Sequence, residues 1–102
     1  DQLDQVLIAY EPVWAIGSSA PASNDDIATA VKVVRTQVEH MFGKTASETV
    51  PILYGGSSNL ENGREILSIP GVDGLLVGRA SLIAPEFVGL VNAAAEISRE
   101  EK

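Results

Sequence analysis

The sequence contains no cysteine and only one histidine, and it has no long apolar run. The absence of cysteine excludes disulfide bonds and thiol catalysis and is compatible with a reducing compartment. No apolar stretch approaches the roughly 18 residues that a membrane-spanning helix requires. The first residues also lack the basic and apolar regions of a signal peptide. We therefore expect a cytoplasmic protein that does not span a membrane.

Basic residues are also scarce. The chain has seven Lys and Arg residues and 14 Asp and Glu residues, so its formal net charge is −7. Nucleic acids and anionic membranes are recognised by clustered Lys and Arg, and the composition argues against both partners. An anionic small substrate would have to be held by local hydrogen-bond donors, against the field of the whole chain.

Three short apolar runs are predicted to be strands, over residues 6–10, Ile52–Tyr54 and 75–77. None alternates with polar residues, which favours strands covered on both faces, as in a parallel sheet. Helical patterns lie between and after them. The first has a single apolar stripe, formed by Ile27, Val31, Val34, Val38 and Met41.

Residues 23–26 supply a cap and early negative charge for this first helix. A second helix is predicted over Leu60–Leu67, with Asn59 as its cap, and a third from about residue 85 to 97, with Pro85 in its first turn. The order β-α-β-α-β-α predicts an α/β fold with a parallel sheet. His40, near the end of the first helix, is expected to be structural.

Each predicted strand is followed by a loop of unusual composition. Glu11 comes directly after the first strand, where α/β folds place catalytic groups. Gly55-Gly56 follows the second strand and Gly78 follows the third. Glycines between a strand and a helix let backbone N–H groups approach a phosphate at the positive end of the helix. Two such turns after consecutive strands predict a phosphate site.

Three segments resemble the triosephosphate isomerase family in order and spacing. They are Ala-Tyr-Glu-Pro-Val-Trp-Ala-Ile-Gly at 9–17, Leu-Tyr-Gly-Gly-Ser at 53–57, and residues 73–82 with Asp73-Gly74, Leu76-Val77-Gly78 and Ala80-Ser81-Leu82. The resemblance covers essentially the whole chain. It implies that residues 1–102 are one partial domain, the C-terminal three βα units (strands 6–8 and helices 6–8) of a (β/α)8 TIM barrel of about 250 residues.

The resemblance also implies roles for individual residues. Glu11 would be the general base that moves a proton between the two carbons flanking a carbonyl. A mobile lid and its latch would be formed by Pro12, Val13, Trp14, Ala15, Ile16 and Tyr54. Phosphate would be bound through backbone N–H groups at Gly17, Ser57 and the Gly78-Arg79 turn. Three charge-assisted hydrogen bonds of this kind would hold a dianion without a lysine.

The implied activity is the isomerisation of dihydroxyacetone phosphate and glyceraldehyde 3-phosphate, in glycolysis and gluconeogenesis. The resemblance implies a small phosphorylated sugar as substrate, no cofactor, no metal and a homodimeric parent protein. The family's electrophilic histidine, its lysine and its asparagine lie on earlier strands. The 102-residue chain alone is therefore expected to be inactive, and either to associate or to need the N-terminal part of the barrel.

The sequence departs from the family pattern in two places. Ser18-Ser19-Ala20-Pro21-Ala22 replaces the usual Thr-Gly-Lys-Thr-Ala after the lid, and Arg79 replaces the second glycine of the last phosphate loop. Similar changes occur in the homologous tetrulose-phosphate isomerases, which is one alternative. A non-catalytic phosphate-binding half-barrel is another. A different phosphate-binding barrel enzyme is disfavoured, because a generic phosphate site needs no lid motif.

Overall fold

A computed structural model of the chain describes residues 5–12, 23–56 and 58–100. In these ranges the elements are β1 (Ile8–Tyr10), α1 (Asn24–Phe42), α2 (Lys44–Thr49), β2 (Ile52–Tyr54), α3 (Leu60–Leu67), β3 (Gly74–Leu75), a 3-10 helix (Arg79–Leu82) and α4 (Ala84–Glu100). The three strands form one parallel sheet in the order β1-β2-β3. The predicted α/β class with a parallel sheet is confirmed.

The core lies between the sheet and the helices. Its largest fully buried side chains come from β2, α1 and α3, and they are Tyr54, Ile52, Ile27, Val31 and Ile66. In the strand register Ile8 lies beside Ile52, and Tyr54 lies between Tyr10 and Leu75. Alternate strand residues therefore point toward the helices, because the side-chain period of a strand is two.

The opposite face of the sheet is open in the described part of the chain. Ala9 and Leu76 are exposed, and Leu53 is half-buried. Leu53 packs over Gly74, where an added Cβ would lie 2.8 Å from the Leu53 Cδ2. Within the described residues the helices thus cover one face of the sheet, and cover of the other face stays a prediction for the intact protein. An apolar run shows that a strand avoids water, but not which segment covers it.

Helix α1 begins as the sequence predicts. The Ser23 hydroxyl accepts a hydrogen bond of 3.1 Å from the Asp26 N–H. Of the apolar stripe, Ile27, Val31 and Val38 are buried and Val34 is half-buried, whereas Met41 on the same helix face is 69% exposed. The helix ends at Gly43, whose φ of +100° favours glycine. Met41 therefore lies in the last turn, beyond the part of the helix that covers the sheet.

The other elements fit the sequence to different degrees. Helix α3 has the predicted bounds and a capping box in which Asn59 and Asn62 bond each other's backbone N–H. Helix α4 runs from 84 to 100 instead of 85 to 97, with Pro85 in its first turn. Strand β3 covers 74–75 instead of 75–77, although the Leu76 N–H still donates to the Tyr54 carbonyl at 2.8 Å.

Helix α2 and the 3-10 helix are not predicted from the sequence. Helix α2 is polar and only six residues long, so it shows no apolar stripe. It is held by tertiary contacts instead. The Ser47 hydroxyl donates to the Arg35 carbonyl at 2.9 Å, and Arg35 Nη1 donates to the Ser47 carbonyl at 2.7 Å.

Arg35 joins the elements at the amino end of the sheet. Besides Ser47, its guanidinium donates to the carbonyls of Val50 and Gly71, at 3.1 and 2.6 Å, and to Asp73 Oδ2 at 2.8 Å. The same Asp73 oxygen accepts the Ile52 N–H at 2.9 Å. Ile52 begins β2 and Asp73 precedes β3. This network therefore fixes the starts of two strands, at the edge opposite their carboxyl ends.

Candidate active site

The loops singled out in the sequence follow the carboxyl ends of neighbouring strands. The Tyr10 carbonyl, the last of β1, accepts the Gly55 N–H at 2.7 Å. The Tyr54 carbonyl, the last of β2, accepts the Leu76 N–H at 2.8 Å. These two bonds place Glu11, Gly55 and Leu76 in adjacent positions at one edge of the parallel sheet. The predicted base and the first glycine turn are thus brought together.

Glu11 is exposed, whereas Pro12 beside it is buried. The buried proline limits the backbone freedom of the residue before it, because its ring restricts that residue to extended conformations. Glu11 therefore presents an accessible carboxylate from a backbone held on both sides, by β1 and by Pro12. An accessible, positioned carboxylate is what a general base requires.

The loop after β2 lies against the ring of Tyr54. Tyr54 is 1% exposed, and its ring is tilted by 48° to that of Tyr10, with the ring centroids 6.4 Å apart. A Cβ added to Gly56 would overlap the Tyr54 hydroxyl. Glycine is therefore required at position 56 by close approach, and the phenol supports the loop from beneath. The latch role of Tyr54 toward the lid stays a prediction.

The turn after β3 is built differently. Apart from Gly78 itself and its two chain neighbours, no described residue has an atom within 4 Å of the position that a Cβ on Gly78 would take. The Gly78 carbonyl accepts both the N–H and the hydroxyl of Ser81, at 3.0 and 2.6 Å, and so starts the 3-10 helix. At a helix start the first N–H groups point outward, away from the helix. The backbone N–H of Arg79 belongs to this group, so it is a possible anion donor.

At the start of α3, two backbone N–H groups have acceptors within the protein. The Leu60 N–H already donates to Glu86 Oε2 at 2.9 Å, and the Asn62 N–H donates to Asn59 Oδ1 at 2.9 Å. These two N–H groups are thus engaged by protein acceptors. In the predicted phosphate site, the donors would come from the loop before Asn59 and from the turn after β3.

Several predicted site residues lie outside the described part of the chain. They are Val13, Trp14, Ala15, Ile16, Gly17 and Ser57. The side chain of Arg79 is likewise outside it. Their roles stay predictions.

Sequence reasoning missed two residues near the site. Glu86 is only an acid in the first turn of a helix, a pattern that predicts a favourable dipole interaction and no contact with another helix. Ser58 has a buried Oγ with no hydrogen-bond partner in the described chain. Its sequence signal is no more than a second serine in a polar loop.

Within residues 5–12, 23–56 and 58–100, no three His, Asp or Glu side chains come together in a way that would hold a metal ion. No helix in those ranges is long and apolar enough to cross a bilayer.

The parallel sheet and the residues at its carboxyl edge define an α/β protein whose candidate site follows the strand ends. The family model described as triosephosphate isomerase matches residues 1–94. The chain therefore belongs to the triosephosphate isomerase family.

Curated relatives agree with this assignment. The chain is 44% identical over 92 residues to a triosephosphate isomerase of Alkaliphilus oremlandii, an alignment that covers 90% of this chain and 37% of the relative. It is 50% identical over 91 residues to that of Lawsonia intracellularis, covering 89% and 36% respectively. The Streptococcus suis protein is 46% identical over 92 residues, covering 90% and 37%. The chain thus spans little more than a third of the length of these relatives.

Proposed function

We propose that the intact protein containing this chain is a triose-phosphate isomerase that interconverts dihydroxyacetone phosphate and glyceraldehyde 3-phosphate. In this proposal the chain supplies the catalytic base and the phosphate loops, as the C-terminal three βα units of a (β/α)8 barrel. The supporting observation is the hydrogen bond between the Tyr10 carbonyl and the Gly55 N–H, which holds Glu11 beside the glycine loop after β2.

The proposed reaction is a proton transfer between two adjacent carbons. Glu11 would remove a proton from the carbon next to the carbonyl and return it to the neighbouring carbon. The exposure of Glu11 at the strand end suits this role, because a base must reach its proton within hydrogen-bond distance. The groups that stabilise the enediolate would come from other strands, since the chain spans only 36–38% of its relatives.

The phosphate of the substrate would be bound by backbone N–H groups of the loops after β2 and β3. Charge-assisted hydrogen bonds contribute roughly 1.5–3 kcal/mol each, so a few of them suffice without a lysine or arginine side chain. This mode of binding suits a chain with a net charge of −7. The open space beside Gly78 leaves room for an anion at the second loop.

The test is a coupled isomerase assay on the intact protein. We expect turnover with the three-carbon substrate, and a loss of several orders of magnitude in kcat for Glu11→Gln, because the amide cannot accept the proton. Glu48→Gln, at an exposed position in α2, is the matched control and should keep wild-type turnover. Absence of turnover in the wild-type protein would overturn the proposal.

A four-carbon substrate is the second candidate. It is favoured by Arg79 in place of the second glycine and by Ala20-Pro21-Ala22 after the lid, since both changes are typical of the tetrulose-phosphate isomerases that the sequence resembles. The ratio of kcat/KM values for the two ketose phosphates separates the candidates. We expect the ratio to favour the three-carbon substrate. The homodimeric state and the place in glycolysis and gluconeogenesis stay predictions from the resemblance, and the cytoplasmic location stays a prediction from the composition.

A further inference from the structure

Glu86 forms a hydrogen bond between the two helices that follow the candidate phosphate loops. Its Oε2 accepts the backbone N–H of Leu60 at 2.9 Å, 26 positions away in the sequence. Leu60 is the first residue of α3, and Glu86 lies half-buried in the first turn of α4. The bond therefore joins the starts of two separate helices and completes the cap that Asn59 begins.

The two helices pack closely around this bond. A Cβ added to Gly89 would lie 2.6 Å from the Leu60 Cδ1, and one added to Gly63 would overlap the Leu90 side chain. Because neither glycine has a Cβ, the backbone of α3 at Gly63 lies against the Leu90 side chain of α4. In the same way, the backbone of α4 at Gly89 lies against the Leu60 side chain of α3. The Glu86 carboxylate is thus held against Leu60 by packing as well as by its own hydrogen bond.

Each end of this bond continues directly into one candidate phosphate loop. Leu60 follows Asn59 and the glycine loop after β2. On the other side, the Phe87 N–H donates to the Ile83 carbonyl and the Ile83 N–H to the Ala80 carbonyl, at 3.0 and 3.2 Å. Short hydrogen-bonded turns therefore connect Glu86 to the 3-10 helix that Gly78 begins. This connection is a second link between the two loops, beside the pairing of β2 with β3.

We propose that Glu86 is a positioning residue, which sets the separation of the two loops through its bond to the Leu60 N–H. The inference rests on the proposed function only in taking these loops to bind phosphate. Glu86 acts through the backbone and does not need to touch the ligand.

The charge of the Glu86 carboxylate and its positioning role predict opposite changes in phosphate affinity when the carboxylate is removed. A negative charge near a bound anion repels it, so simple electrostatics predicts tighter phosphate binding without the carboxylate. Loss of the fixed loop separation predicts weaker binding, because the two sets of donors no longer point at one anion. The sign of the change therefore distinguishes the two effects.

The experiment is a calorimetric titration of the intact protein with inorganic phosphate. For Glu86→Ala we expect an approximately tenfold rise in Kd, with a parallel rise in KM and less than a roughly threefold change in kcat. Glu86→Gln retains an oxygen that accepts the Leu60 N–H and removes the charge, so it should bind phosphate at least as tightly as the wild type.

Glu96→Ala is the matched control. Glu96 pairs with Arg64 across the same two helices, but it lies ten residues farther along α4, about 15 Å away along the helix axis. Its removal should leave Kd and KM unchanged. If Glu86→Ala does not fold, Glu86→Asp is measured instead, with the same expected loss, because its carboxylate is withdrawn by one methylene.

Wild-type or tighter phosphate binding in Glu86→Ala would overturn the inference, as would an equal loss in Glu96→Ala. The titration does not require turnover. A wild-type protein that binds phosphate without isomerising a triose phosphate would contradict the proposed function. The comparison of phosphate Kd values between the wild type and the Glu86 variants would still test the inference. An active wild-type enzyme whose Glu86→Ala variant keeps its Kd would overturn the inference alone. A wild-type protein that does not bind phosphate would overturn both.

Discussion

The hydroxyl of Tyr54 lies directly beneath Gly56, so close that position 56 has no room for a Cβ. Tyr54 is held by the core between the sheet and α1, and it cannot withdraw without disturbing Ile52 and Ile27 around it. The core therefore determines the path of the loop that follows β2. This is a direct physical link between the packing of the fold and the shape of the candidate phosphate site.

Gly56→Ala is expected to destabilise the intact protein by about 1–3 kcal/mol, the usual cost of forcing an extra methyl group into a packed site. Urea-induced unfolding measures this change. Gly55→Ala is the matched control, because its added Cβ would lie 3.5 Å from Leu76 Cδ2, at ordinary contact distance. It should lower the free energy of unfolding by less than Gly56→Ala does, because no overlap has to be relieved. Equal effects at the two glycines would contradict the steric account.

Arg35→Ala is expected to lower the free energy of unfolding by about 3 kcal/mol, because three carbonyls lose this donor and the Asp73 carboxylate loses its charged partner while it keeps the Ile52 N–H. The Arg35 side chain is only 19% exposed. By contrast, Arg64 and Glu96 are each 47% exposed. Arg64→Ala should therefore cost less than about 1 kcal/mol. Chemical denaturation measures the free energy of unfolding of both variants. A larger loss for Arg64→Ala than for Arg35→Ala would refute this account.

A purified polypeptide of residues 1–102 is expected to associate and to show no isomerase activity. Leu7 directly before β1 and Leu76 directly after β3 are 58% and 52% exposed, and both β1 and β3 are edge strands in the described sheet. Exposed apolar faces and open strand edges favour association. Replacing Leu7 and Leu76 with lysine should reduce the self-association of this polypeptide. Sedimentation velocity that shows a folded monomer for the unmodified polypeptide would be inconsistent with this view.

The sequence predicts those parts of the fold that local chemistry determines. The bounds of β2 and α3 are predicted correctly, because Ile52–Tyr54 is a short apolar run and Asn59 is a strong helix cap. Helix α2 is missed because its stability comes from Arg35, nine positions before its start. The exposure of Met41 is not predicted, because Met41 fits the apolar period of α1 yet lies in its last turn.

The candidate site likewise contains some features that local sequence predicts and others that depend on tertiary packing. Glu11 and the glycine turns can be found from the sequence, because strand ends and glycines are local signals. Their meeting at one edge follows from the parallel order of the strands. The bond from Glu86 to Leu60 could not be predicted, because it depends on the packing of α3 against α4 through Gly63 and Gly89.

The most direct test of the central claim is the kcat of Glu11→Asp in the intact protein, measured beside its affinity for inorganic phosphate. Aspartate keeps the charge but withdraws the carboxylate by one methylene from the substrate carbon. We expect kcat to fall by about 100-fold or more, because near-attack geometry is lost, while the Kd for phosphate stays within about twofold. A Glu11→Asp variant with wild-type kcat would contradict the role of Glu11 as the base.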